Sequence, residues 1–249
     1  PLRQRLAWTP CMVPFVMGFR DFQVGVVRGD EESKDPFQVM LNQHSYEEDF
    51  HWHWFLEDLQ TLGFDPTLPM TDAVRYLWSD DLRVNRSIPT RLAAICSRAQ
   101  PYVTFTVVES IEAISIRLFD ICRKILSMGG SELKFFGETH WRAENTHTSH
   151  SMGPEMENSC KAIILSPQNR ALALEYVDDM FALFIEWCDE LLRFAKKFGR
   201  DFPSTVTEVA GDSRKLSHDG VLAWEQQSKV TRMHAQVEEA VKVEQSAAA

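Results

Sequence analysis

Apolar residues in this chain recur every three or four positions and almost nowhere in strict alternation. The clearest stretch runs through Leu172, Tyr176, Met180, Leu183, Trp187, Leu191 and Phe194. At about 100° per residue these side chains share one face of an α-helix, whereas a strand would send neighbours to opposite faces of a sheet. A helix with so continuous a stripe needs other helices to cover it. Glycine, which tight hairpin turns favour, is scarce, with 11 in 249 residues. The expected fold class is all-α.

Punctuation residues divide the chain. Residues 34–62 read as one long helix, stopped by Gly63 and then Pro66 and Pro69. Thr71 caps a short helix to about Leu82, and Pro89-Thr90 opens another to about Gln100. Pro101 starts a long apolar helix through Met128, closed by Gly129-Gly130. Ser131 begins a helix to about His150, and a short one follows Gly153-Pro154 near 155–164. Ser166-Pro167 caps the last strong helix, to Lys197, which Gly199 ends. Near the start, Val24-Gly25-Val26-Val27 suggests an extended segment. Residues 200–217 are polar, and 219–244 read as a Glu-, Gln- and Lys-rich surface helix, partner-binding helix or tail. The sum is a single helical domain over 1–249, a bundle of about seven helices with its core at about 34–198.

Charge and cysteine usage narrow the function. A net charge of −10 argues against a nucleic-acid surface, which needs basic patches. No apolar run approaches the ~20 residues of a membrane span. No signal peptide is visible, and a chain opening on Pro1 is expected to lack its native beginning. The five cysteines, at 11, 96, 122, 160 and 188, are odd in number and scattered. Reduced thiols in a cytoplasmic protein are the expectation.

Two segments carry the same triplet, His44-x3-Glu48-x2-His51 and His140-x3-Glu144-x2-His147. Positions i, i+4 and i+7 fall on one stripe of a helix, so each segment would aim two imidazoles and a carboxylate in one direction. With 8 His and 36 Asp plus Glu in the chain, chance gives about 0.04 such matches. Helix bundles build metal sites from inward-pointing carboxylates and histidines on facing helices, and iron or manganese accepts that mixed donor set. A bridging carboxylate from a third helix is then the missing part.

The 101–128 helix offers Glu109 and Glu112. Val108, Ser115, Ile116 and Phe119 surround Glu112 at helical spacing. A carboxylate on so apolar a face is costly unless paired or coordinated, so Glu112 is preferred and Glu109 is the fallback. His44 is either a ligand or a group that orients Glu48. Glu47 replaces Glu48 if the helix is rotated by one step. His53, His150, His218 and His234 read as packing, rim or surface residues. One triplet alone is more often a solvated helix face; two, with an apolar-face acid between them, point to metal. Zinc fits less well, because there is no Cys-x2-Cys or His-Glu-x2-His and six ligands exceed a tetrahedral shell. A haem would use one axial histidine and leave the second triplet unexplained.

The stretch Glu47-Glu48-Asp49-Phe50-His51-Trp52-His53-Trp54-Phe55-Leu56-Glu57-Asp58-Leu59-Gln60-Thr61-Leu62-Gly63 resembles the first ligand helix of haem-oxygenase-like non-haem diiron oxidases. That helix commonly reads Glu-Glu-x-x-His-x-x-x-Leu-Leu-x-Asp-Leu-x-x-Leu-Gly. Phe135-Phe136-x3-His140-x3-Glu144-x2-His147 is similar to their later His-x3-Asp-x2-His motif, with Glu144 in place of the usual Asp. The family sets one Glu on an intervening helix, where Glu112 stands, and many members have no counterpart of His44. The resemblance spans about 35–195. It implies a fold shared with haem oxygenase and TenA-type thiaminases.

The function so implied is an O2-activating diiron oxidase or oxygenase acting on a small amine- or carboxylate-bearing metabolite, in natural-product biosynthesis. N-oxygenation, oxidative cleavage and decarboxylation are the open outcomes. The expected cofactor is two non-haem iron ions, with manganese as the alternative. Glu48, His51 and Glu112 would hold one ion, and His140, Glu144 and His147 the other, with Glu112 as a candidate bridge. Trp54, Phe105, Phe119, Phe136 and Trp141 are candidate pocket walls, and Arg142 or Arg117 would receive a substrate carboxylate. The partners are then that substrate and O2, with monomer and homodimer both open and no nucleic acid or membrane. A metal-free TenA-like hydrolase using a cysteine nucleophile and a non-catalytic metal-binding bundle are the alternatives.

Overall fold

The computed structural model describes residues 2–127, 132–147 and 162–198, with backbone only over 144–147. Pro1–Val206 forms one compact unit, and residues 207–249 lie outside the described residues. The expected helix near 155–164 falls almost wholly outside them as well.

Every regular element among the described residues is helical. In chain order they are α1 (Leu2–Arg5), α2 (Val13–Phe22), α3 (Pro36–Glu47), α4 (His51–Thr61), α5 (Met70–Leu77), α6 (Arg83–Cys96), α7 (Pro101–Ser127), α8 (Glu138–His147) and α9 (Pro167–Phe198). The long helix α7 packs against α3, α6, α8 and α9, and α2 lies against α6. The apolar stripe of α9 is buried from Met180 through Leu183, Trp187 and Leu191 to Phe194, while Leu172 at its start is exposed.

Local chemistry explains most boundaries. Asp35 accepts from the amides of Phe37 at 2.9 Å and Gln38 at 3.3 Å and so caps α3, whose first residue is Pro36. Gly63 ends α4 with φ +72°. The Phe64 amide then reaches back to the Leu59 carbonyl at 2.8 Å, closing a Schellman motif. Ser166 caps α9 through the Asn169 amide at 3.2 Å.

Six expectations need correction. Thr71 is no cap: α5 begins at Met70 after Pro69 and ends at Leu77, with a separate 3-10 turn over Asp80–Leu82. Residues 34–62 are not one helix: a 3-10 turn, Glu48–Phe50, separates α3 from α4. Arg28 fastens that break, donating to the Ser45 carbonyl at 2.7 Å and to Asp49 Oδ2 at 3.1 Å. Val24–Val27 is not extended but belongs to a π-helical turn, Gln23–Val27. The core does not begin near residue 34, because Leu6, Cys11, Met12, Phe15, Val16, Phe22 and Val27 are buried.

Pro89 does not open a helix; it sits inside α6, which begins at Arg83. The start of α6 is stabilised from a distance. Glu190 of α9 accepts from the Val84 amide at 2.7 Å and the Asn85 amide at 2.8 Å, supplying a cap that the local sequence lacks. The Pro89 ring also packs on Gly18, where an added Cβ would lie 2.5 Å from Pro89 Cγ. Finally, the second histidine helix starts at Glu138 rather than Ser131. The amides of Lys134 and Phe136 are bound to Asp58 Oδ1 and Oδ2 at 2.7 and 2.9 Å instead of to a helical turn.

Candidate metal centre

The break at Glu48–Phe50 arranges the first triplet. In a 3-10 turn residues i and i+3 eclipse, and Glu48 and His51 accordingly meet, Oε2 to Nδ1, at 3.0 Å. His44, at the last turn of α3, turns its Nε2 toward Glu112 Oε1 of α7 at 3.5 Å. His44, Glu48 and Glu112 each offer one ligand atom, and the three atoms lie within 4.8 Å of one another. In an octahedral shell, donors held about 2.1 Å from the ion lie about 3 Å apart when adjacent and about 4.2 Å when opposite, so this buried set is near the spacing an ion requires.

His140 joins the cluster from α8. Its Nδ1 is 2.9 Å from the Phe135 carbonyl oxygen and its Nε2 is 3.1 Å from His51 Nδ1. An Nδ1–H donated to a carbonyl leaves Nε2 as the lone-pair nitrogen, the usual arrangement behind a metal-bound histidine. Phe119 and Phe135 enclose the His140 ring at 4.2 and 4.4 Å, and Trp54 stacks on His51 at 4.7 Å. His44, Glu48, His51, Glu112 and His140 are each no more than 6 % exposed.

Burial disfavours a charged His51, but the Glu48 carboxylate outweighs it by charge and hydrogen bond, with Glu112 and Glu47 adding to it. The net direction is upward from the ordinary value of 6.5. A cluster that pulls a proton onto an imidazole is a cluster short of positive charge.

Of the predicted residues, the structure brings together Glu48, His51, Glu112 and His140, and adds His44 to the inner group. Glu109 is half-buried on α7 while Glu112 is buried. Glu47 is also half-buried and receives a hydrogen bond from Gln43 at 3.2 Å. The side chains of Glu144 and His147 lie outside the described residues, as do His150, His218 and His234. His53 is exposed.

Two participants were not among the predicted site residues. Gln23, fully buried at the head of the π-helical turn, places its Nε2 3.2 Å from His44 Nε2; such turns recur at functional sites. Asp58 stands two helical turns beyond His51 and grips the backbone leading to His140. It did figure in the resemblance, but as a motif letter without a role.

A small cavity of about 50 Å³ adjoins the cluster, bordered by Glu48, His51, Glu112 and His140. Phe119 lines it, whereas Trp54, Phe105, Phe136 and Trp141 do not. Trp141 instead donates to Asp120 at 2.8 Å and lies under the Arg123 guanidinium. Phe105 packs on Phe37 at 5.2 Å. A larger cleft of about 880 Å³ opens elsewhere, between α7 and the start of α8 around Asp120, Arg123 and Glu138, and touches none of the cluster residues.

The cysteines offer no poised nucleophile among the described residues. Burial pushes Cys96 up to about 11 and Cys122 up to about 12, and it raises Cys11 further. Cys11, Cys96, Cys122 and Cys188 are all free thiols. No described helix is long and apolar enough to cross a membrane. No protein-family model matches the chain, and no curated protein matches it.

Proposed function

We propose that this chain is an O2-dependent non-haem diiron oxidase or oxygenase of the haem-oxygenase-like kind, acting on a small metabolite. One observation carries the reading: two carboxylates and three imidazoles, all buried, converge from α3, α4, α7, α8 and the turn between α3 and α4, with His44, Glu48 and Glu112 inside 4.8 Å. Two carboxylates so close and so dry repel each other, and a bound dication removes that cost.

His44, Glu48 and Glu112 would hold one ion. His51 and His140, with Glu144 and His147 of α8, would serve the other. Glu48 touches both groups, His44 and Glu112 on one side and His51 on the other, so it rather than Glu112 would be the shared carboxylate, and His44 would join the donor set. When bound, the ions supply the redox chemistry that activates O2. The protein's own part is to fix the imidazoles through Gln23 and the Phe135 carbonyl, and to keep water out with Trp54, Phe119 and Phe135.

The hydrolase alternative needs an activated thiol, and the upward shifts of Cys96 and Cys122 run against that. The test is anaerobic loading with Fe(II), quantitation of iron per chain, and O2 consumption with the optical spectrum followed on mixing. Two irons per chain and O2 uptake are expected; failure to retain iron would sink the reading, and iron without O2 uptake would favour a structural metal site. A parallel Mn(II) loading decides between the two metals.

A further inference from the structure

The cavity beside the cluster is lined by α2 and the residue before it, which place Met12, Phe15, Val16, Phe19 and Arg20 along it at helical spacing, and equally by α7. Apart from Arg20, Ser115 and the cluster residues the lining is apolar or aromatic; Glu48 and Glu112 are buried at its inner end, whereas Arg20 reaches solvent at its rim. Arg20 is the one arginine or lysine among the lining residues. It is 44 % exposed, and its ion pair is with its chain neighbour Asp21 at 3.4 Å, a long contact of the kind worth little in water. The two arginines expected for this role do not border the cavity: Arg142 bonds Glu138 at 2.8 Å, and Arg117 is an exposed side chain 3.8 Å from Asp120.

The cavity is thus dipolar, acidic inside and basic at the α2 edge. A guanidinium presents a planar fork that matches a carboxylate and repels an amine. At about 10–15 Å³ for each water-sized position, a volume of about 50 Å³ takes a chain of only a few carbons.

We infer that Arg20 is the substrate-binding residue of this site, and that it selects short apolar monocarboxylic acids whose carboxylate stays at Arg20 while the hydrocarbon end reaches Glu48 and Glu112. The inference rests on the oxidase reading for what happens to that hydrocarbon end, but binding itself needs no metal.

Hexanoate, hexan-1-ol and hexylamine are the probes, followed by the fluorescence of Trp52 and Trp187, which both line the cavity, in metal-free and in anaerobic Fe(II)-loaded protein. Saturable binding of hexanoate is expected, at least about tenfold tighter than the alcohol or the amine. Arg20→Gln should lose about tenfold or more, Arg20→Lys should keep part of the affinity, and Arg117→Gln and Arg142→Gln should change nothing. Circular dichroism and melting temperature verify that each variant is folded. Equal binding of the alcohol or amine, an unaltered Arg20→Gln, or no saturation by any probe overturns the inference. Discrimination in protein that refuses iron leaves it standing and removes the oxidase reading, whereas iron and O2 uptake without discrimination removes it alone.

Discussion

Two carboxylate sites lie buried in the same bundle, and they are built on opposite plans. Glu190 of α9 is 2 % exposed and accepts from the Val84 amide, the Asn85 amide and Asn85 Nδ2 at 2.7, 2.8 and 2.9 Å. Its charge is spent on fixed amide donors that begin a helix. Glu48 and Glu112 are as deeply buried, but they face imidazoles, His51 at 3.0 Å and His44 at 3.5 Å. Amide donors cannot leave a carboxylate, whereas an imidazole can turn its lone pair to a cation that the carboxylate shares. The first plan makes a joint; the second leaves His44, Glu48 and Glu112 as a donor set that could hold a metal ion. Trp187 touches both: its Nε1 donates to Asn85 Oδ1 at 2.7 Å, and its ring lines the cavity beside Glu112.

Glu112→Ala is the sharpest way to separate the plans. Removing one of two neighbouring buried carboxylates should cut iron-dependent O2 uptake by about 100-fold or more, while the melting temperature of the metal-free protein holds or rises. A fall in stability instead would mean that Glu112 is a joint like Glu190. Glu190→Ala should do the reverse. Taking the acceptor from the Val84 and Asn85 amides, and leaving Asn85 Nδ2 with only Cys11 Sγ at 3.3 Å, costs about 2 kcal/mol in urea unfolding, with iron stoichiometry of the folded protein intact.

Asp58→Ala tests a mixed case, because Asp58 binds amides at 2.7 and 2.9 Å yet steers His140. A loss of about 2 kcal/mol is expected, together with weaker iron retention, measured by chelator competition. Trp187→Phe should cost about 1 kcal/mol, the worth of one buried hydrogen bond, and leave metal uptake unchanged.

The smallest effect concerns pH. Because the folded pKa of His51 is raised above its ordinary 6.5, the metal-free folded state holds the extra proton between the two values. Its stabilising contribution is full below the unfolded pKa and is lost as pH rises through the folded one. Melting of chelated protein should therefore fall on passing from mildly acidic to alkaline pH, and His51→Gln should flatten that slope.

The fold class was legible because apolar spacing repeats through α7 and α9, where packing and propensity agree. The end of α4 at Gly63 and the starts of α7 and α9 were legible for the same reason: each carries its own cap, proline or glycine. The start of α6 was not, since its capping carboxylate arrives from Glu190, 105 residues away in sequence. Within the site, Glu48, His51, Glu112 and His140 could be read from type and spacing. The break that brings His44 and Glu48 to Glu112 could not, because it is imposed by Arg28 from another segment. Gln23 was invisible for a simpler reason: one amide in a π-helical turn has no periodic signature.

Asp58 has one more consequence. It lies seven residues after His51 on α4, about 10.5 Å along the axis at 1.5 Å per residue, and on nearly the same face. One rod therefore carries an imidazole at one end and, at the other, the clasp on the strand of backbone that delivers a second imidazole. The distance between His51 and His140 is gauged by a rigid ruler rather than by the sum of two independent loops. Lengthening that ruler by a single residue would swing the clasp by about 100°. An insertion between His51 and Asp58 would thus displace the second imidazole while leaving every proposed ligand residue present.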